Sequence, residues 1–110
     1  MELLTKLEEL VLIAVLKLKD GAYGIAIYKF IVAITGKDVS VSSVYFPLER
    51  LVKKGFLHAS KGDPTPKRGG MSKRYYRLTH PGIKALRENR SLSQTAWKGV
   101  TELLKDEPGV

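Results

Sequence analysis

Six basic side chains crowd one stretch of the chain: Lys61, Lys67, Arg68, Lys73, Arg74 and Arg77 fall within residues 56–77, against the single acid Asp63. Just upstream, Ser42, Ser43 and Tyr45 open a segment whose apolar positions recur at helical spacing. Cations at this density attract a polyanion. Hydroxyls at a helix start can bond phosphate oxygens or base edges, and the backbone N–H groups there also draw phosphate. A guanidinium such as that of Arg68 favours the negative potential of a narrow minor groove. The chemistry indicated is nucleic-acid recognition, with an anionic membrane as second candidate. Blander roles stand beside each assignment. Ser42 or Ser43 can be a helix cap, Tyr45 can be half-buried packing, and the basic run can be a solvated hairpin.

Other chemistry lacks its groups. His58 and His80 are the only histidines and cysteine is absent, so a zinc site of the usual composition cannot be assembled and disulfides are excluded. Gly69-Gly70 lacks the Lys-Ser/Thr ending of a phosphate-binding loop. No histidine is placed to serve as base for a serine, and the acids are scattered rather than paired. The expectation is a protein that is not an enzyme, with no cofactor and no metal.

The 110 residues make room for one modest core. The formal charge of +8 is uneven: residues 1–20 carry three basic and four acidic side chains, and residues 78–110 five and four. No apolar run reaches the length of a membrane span, and the first residues carry acids without a cleavage-site pattern. With the missing cysteines, this leads us to expect a cytoplasmic protein with no membrane partner.

The elements that would position these groups follow from periodicity. Leu4, Leu7, Val11, Ala14, Val15 and Leu18 mark an apolar stripe on a helix over residues 3–18, with Glu8, Glu9 and Lys17 outside it. Leu10, Leu12, Ile13 and Leu16 widen the stripe until it needs cover on two sides, from its own domain and a second subunit. Asp20-Gly21 ends it, with Gly21 suited to a positive φ. A second helix spans residues 22–34 and buries Ile27, Phe30, Ile31 and Ile34, while Gly24 lets two elements approach closely. A third starts near residues 41–43, ends at Gly55, and buries Val44, Leu48 and Leu51. Ser42, Ser43, Tyr45, Phe46 and Glu49 then lie at or near its opposite surface. Pro47 fits best in its first turn.

Residues 56–60 and 75–78 read as short strands around a loop of two prolines and three glycines. Tyr75 and Tyr76 must face opposite ways, so one is core. Thr79 caps a last helix with Pro81 in its first turn. Its stripe pauses across residues 87–91, as a kink or a break, and resumes with Leu92, Ala96, Trp97, Val100, Leu103 and Leu104. Trp97 is a dimer or core anchor in that stripe, or a platform for a flat aromatic or cationic compound. The fold class expected is mainly α with a small β-hairpin: a winged helix-turn-helix over residues 1–78, a dimerisation helix or helices over 79–105, and a tail from 106 to 110.

Four segments resemble the PadR-like transcriptional regulators. They are Gly21-Ala22-Tyr23-Gly24-Ile25-Ala26-Ile27-Tyr28, then Val41-Ser42-Ser43-Val44-Tyr45-Phe46-Pro47-Leu48-Glu49-Arg50-Leu51, then Lys54-Gly55-Phe56-Leu57, and Lys73-Arg74-Tyr75-Tyr76-Arg77-Leu78-Thr79-His80-Pro81-Gly82. The resemblance covers about residues 5–90. It departs from the family at Ala22-Tyr23-Gly24, where a histidine commonly precedes the Gly-Tyr pair, and in its short C-terminal part. It implies a homodimeric, sequence-specific regulator of double-stranded DNA, usually a repressor on a palindromic operator. Ser42, Ser43 and Tyr45 would match the start of the family's recognition helix, and residues 67–74 its wing, giving Lys67, Arg68, Lys73 and Arg74 as DNA contacts. Dimerisation would pair the first helix (Leu4, Leu7, Val11) with the last (Leu92, Trp97, Val100, Leu104). Some compact members bind hydrophobic or cationic drugs between subunits through a tryptophan, which implies a small aromatic or cationic effector at Trp97. A nonspecific or architectural DNA binder and a winged-helix protein-interaction module remain as the alternatives.

Overall fold

Thr5 begins the first helix in the computed structural model, which describes residues 2–62 and 73–110. The Thr5 hydroxyl accepts from the Glu8 N–H at 3.1 Å while the Glu8 carboxylate accepts from the Thr5 N–H at 2.9 Å. This reciprocal box satisfies two donors that a helix start leaves open. Helix α1 then runs Lys6–Leu18. Gly21 is not where the chain turns: the only non-glycine residue with positive φ among those described is Lys19, at 52°, and a 3-10 turn, Lys19–Gly21, follows it. The apolar stripe ends at Leu18, so the helix stops three residues before the glycine.

Helix α2 covers Gly24–Thr35 and turns Ile27 and Ile31 into the core. Ile34, expected inside, is exposed because the final turn of α2 overhangs the core. Tyr28 donates its hydroxyl to the Val39 carbonyl at 2.7 Å and so ties the following turn back onto α2. Helix α3 covers Val41–Lys53 with Ser40 as its cap, the Ser40 hydroxyl accepting from the Ser43 N–H. Pro47 therefore lies inside the helix, against the expectation of a first-turn proline. Its ring removes one donor to the Ser43 carbonyl, and that carbonyl sits in an exposed first turn where water can take its place. Pro47 itself is buried.

Strands β1 (Leu57–Lys61) and β2 (Arg74–Leu78) pair antiparallel, with Leu57 opposite Leu78 and Lys61 opposite Arg74. Alternation sends Tyr76 inward, 2% exposed, and Tyr75 outward. An isolated bridge joins Tyr23 to Tyr75, and the Tyr76 N–H donates to the Ala22 carbonyl at 2.9 Å. The hairpin is thereby stitched to the entry of α2. Three helices and this hairpin close over one core of Val11, Leu12, Val15, Ile27, Ile31, Val44, Leu48, Leu51, Leu57 and Tyr76. The architecture is a winged helix-turn-helix.

Thr79 caps helix α4, His80–Trp97, by accepting from the Gly82 N–H at 3.1 Å. The helix is continuous across residues 87–91. Asn89 explains why: it is buried but satisfied, accepting from the Leu4 N–H at 3.0 Å and donating to the carbonyls of Glu2 and Ala85 at 3.0 and 2.8 Å. The break comes instead at Lys98-Gly99, where Gly99 adopts φ 79° and a short helix α5, Val100–Asp106, begins. The molecule measures 58 × 30 × 20 Å. Residues 90–99, all exposed, carry the end of α4 away from the core. No helix among the described residues is long and apolar enough to cross a membrane.

Candidate nucleic-acid interface

Val44, Pro47, Leu48 and Leu51 anchor α3 on the body. At 3.6 residues per turn the opposite side of the helix is then the stripe Ser42, Phe46, Glu49 and Lys53. Ser42 and Ser43 stand exposed in the first turn, with their hydroxyls 3.2 and 2.7 Å from that of the capping Ser40. Three hydroxyls are thus gathered at one helix start. Phe46 is 66% exposed.

Tyr45 is turned to the side rather than outward. Its ring lies over Gly24, where an added Cβ would come within 2.7 Å of the phenol Cζ. That contact is the close approach expected of Gly24, and it locks the start of α2 against α3. Tyr45 is consequently half-buried packing at the margin of the exposed stripe.

The base of the wing lies beside it. Lys73 places its ammonium 3.9 Å from the centroid of the Tyr23 ring, which in turn packs against Tyr75 at 5.8 Å. Arg74 holds Glu49 of α3 in an ion pair of 2.7 Å and sits 5.5 Å from the Tyr76 ring. Burial pushes the Tyr76 phenol up, with the Arg74 cation pulling the other way, so it stays neutral. Tyr23, Tyr45, Glu49, Lys73 and Arg74 enclose a groove of about 240 Å³ between α3 and the hairpin. Lys67 and Arg68, assigned to the wing tip, lie outside the described residues.

The far end of α3 is braced by a group expected in solvent. Glu8 is 2% exposed and receives Lys54 at 3.1 Å and Arg50 at 3.5 Å, while Lys54 also reaches Glu2 at 3.2 Å. Burial pushes the Glu8 carboxyl up, but the Thr5 N–H, the Lys54 ammonium and the Arg50 guanidinium outweigh it and hold it below the usual carboxylate range. Burial likewise lowers Lys54, and its bonds to Glu8 and Glu2 raise it above its ordinary value. Arg50 and Lys54 are therefore engaged with the protein.

A helix fixed at both ends, with an exposed stripe and cations on the adjacent hairpin, is an arrangement for meeting a duplex. The model of the transcriptional regulator PadR-like family matches residues 12–88, well over half of the chain. The chain belongs to that family. No curated protein matches it in sequence. Among solved structures it is similar to a PadR family transcriptional regulator from Eggerthella lenta, at 28% identity over 89% of this chain and 83% of that one, TM-score 0.68. A PadR-like regulator from Bacillus cereus matches at 22% identity over 92% and 93% of the two chains, TM-score 0.71. The Aeropyrum pernix ORC1 protein, solved in complex with DNA, shares the fold over 84% of this chain and 26% of its own, at 22% identity and TM-score 0.60.

As a PadR-like regulator the chain is a DNA-binding protein and not an enzyme. The residues assigned to dimerisation divide into two sets. Val11 is fully buried in the domain's own core and cannot face a partner; Leu4 and Leu7 pack partly against that core. Leu92, Trp97 and Leu104 are 43, 55 and 56% exposed, and Val100 is half-buried. Sequence reasoning placed Phe46 and Glu49 near the surface of α3 but not among the DNA contacts. The 3.6-residue period from Val44, Leu48 and Leu51 was the signal that puts both opposite the core.

Glu49 leads to a direct prediction. Both partners of the Glu49–Arg74 pair are about half exposed, so it contributes less than about 1 kcal/mol to folding. Glu49→Gln is expected to leave the melting temperature within a few degrees, raise DNA affinity several-fold, and steepen the salt dependence. The slope of log K against log salt should grow by about 0.9, one freed phosphate contact from Arg74. Anisotropy titrations over a salt series check this, and an unchanged slope would show Arg74 making no phosphate contact.

Proposed function

We propose that this PadR-like regulator is a homodimeric repressor that recognises a palindromic operator in sequence-specific fashion. The carrying observation is the outward stripe of α3, which mixes hydroxyl, apolar, acidic and basic side chains on a helix held rigidly at both ends. A purely electrostatic binder needs only cations. In this reading Ser42 and Ser43 meet base edges or phosphates, Tyr45 positions the helix from its margin, and Lys67, Arg68 and Lys73 add backbone affinity, with Arg74 orienting the wing. Helices α4 and α5 form the dimerisation element, supported by the exposed Leu92, Trp97, Leu103 and Leu104. The exposed Trp97 indole offers a flat aromatic or cationic effector a face at that interface. Titration with a planar cationic dye without saturable quenching of Trp97 fluorescence would remove the effector.

Selection from random duplexes tests the main reading. It should enrich one inverted repeat, bound with a large preference over random DNA that persists as salt rises. Enrichment of no sequence, with affinity collapsing uniformly in salt, would leave an architectural binder; no DNA dependence at all would leave a protein-interaction module. Replacing Lys67, Arg68 and Lys73 together by Glu should weaken all duplexes at least a hundredfold and flatten the salt slope by roughly three contacts.

A further inference from the structure

Phe46 is the one large apolar side chain on the outward stripe of α3, flanked by Ser42 one turn before it and Glu49 one turn after. It belongs to none of the core contacts, which fall to Val44, Pro47, Leu48 and Leu51. Its position sets it apart from the exposed Ile34 and Leu16, which lie in the last turns of their helices: Phe46 is mid-helix, on the face that the anchoring residues force outward. A helix 10–12 Å across enters the major groove, about 12 Å wide, and not the minor groove of about 6 Å. A phenyl ring has no donor or acceptor with which to read a base edge. Within the major groove the bases present a single apolar group, the C5-methyl of thymine.

We propose that Phe46 is a specificity-determining residue that reads the C5-methyl of one thymine in each half of the operator. The assignment rests on the sequence-specific reading above and deepens it. The ring covers the methyl while Ser42 and Ser43, four and three residues earlier, fix the helix on the adjoining backbone or base edge. Discrimination comes from apolar burial, so it is insensitive to salt, unlike the wing's contribution.

The test changes the DNA before it changes the protein. Each thymine of the selected operator is replaced in turn by deoxyuridine, which removes only the methyl. Wild-type protein should lose about fourfold in affinity at one position per half-site, the worth of one methyl-sized group, and lose it equally at low and high salt. Phe46→Ala should bind the parent operator more weakly and show no further loss at that position, while Phe46→Leu should keep part of the discrimination. Because the ring is exposed, both variants should melt with the wild type. A uniform response at all thymines, or the same fourfold loss in Phe46→Ala, would overturn the assignment.

A second arm separates the two bases that can carry this methyl. Cytosine at the sensitive position should bind poorly and 5-methylcytosine better, but neither as tightly as thymine. Tightest binding by 5-methylcytosine would assign the site to methylated cytosine instead and overturn the thymine assignment. If random-sequence selection yields no operator, the sequence-specific reading itself has failed; an operator lacking any uracil-sensitive position sinks only the role of Phe46.

Discussion

Replacing Trp97 and Leu103 together by glutamate is expected to give a folded monomer that binds the selected operator at least a hundredfold more weakly. Neither side chain supports the domain: they are 55 and 71% exposed, and every residue from 90 to 99 is exposed as well. The variant should therefore melt no lower than the wild type extrapolated to low concentration. What it removes is the apolar surface on α4 and α5 that a second copy would cover, and two buried charges on each side oppose reassembly. A monomer meets one half-site at a time. Losing the linkage between two half-sites removes the effective-concentration gain, on the order of 10²–10⁴ in affinity. Sedimentation equilibrium and anisotropy measure the two effects separately. An unchanged mass would refute dimerisation through these helices, and a monomer with native operator affinity would refute the two-half-site geometry.

The parts of this fold that were legible in the sequence depend on local rules. Thr79 and Pro81 announce the start of α4, and the observed cap on Gly82 follows from the same local chemistry. Val44, Leu48 and Leu51 name the inner face of α3 by period alone, and the alternation of Tyr75 and Tyr76 requires one to be core. The misread parts depend on partners distant in sequence. Glu8 looks like a surface acid on α1 until Lys54, 46 residues away, is brought to it. The polar pause at residues 87–91 looks like a break until Asn89 meets the backbone of Glu2 and Leu4. Val11 sits on the same stripe as Leu4 and Leu7, and periodicity cannot say which side of an almost wholly apolar helix its own domain covers. For Tyr45 the sequence leaves DNA contact and half-buried packing side by side, and only the apposition of α2 and α3 shows its ring lying over Gly24. Pro47 misled in another way. A helix-interior proline is costly, but here the lost bond falls on an exposed carbonyl, where solvent offsets it.

Glu8 carries the largest expected effect on stability. Glu8→Ala removes half of the capping box, worth about 1 kcal/mol, and leaves Lys54 and Arg50 without their shared partner. Breaking a fully buried pair costs about 3–5 kcal/mol. Lys54 is 30% exposed and can rehydrate, so the total should be nearer 2–3 kcal/mol, a fall in melting temperature of roughly 10–15 °C for a domain of this size. Glu8→Gln keeps an acceptor for the Thr5 N–H and should lose about half as much. The pH dependence identifies the group. Its folded carboxyl lies below the ordinary value, so its stabilisation is complete above the unfolded pKa of about 4 and disappears as pH falls through the folded one. Lys54 is raised, so its contribution is complete below about pH 10 and is lost only as pH rises through its folded value. At neutral pH both act together. Thermal melts from pH 7 to pH 2.5 should therefore show the wild type converging on Glu8→Gln as pH falls through the lowered folded value, where the Glu8 carboxyl becomes protonated and as uncharged as the glutamine amide. Parallel curves across that window would mean that another acid carries the transition and that Glu8 holds α3 by shape alone.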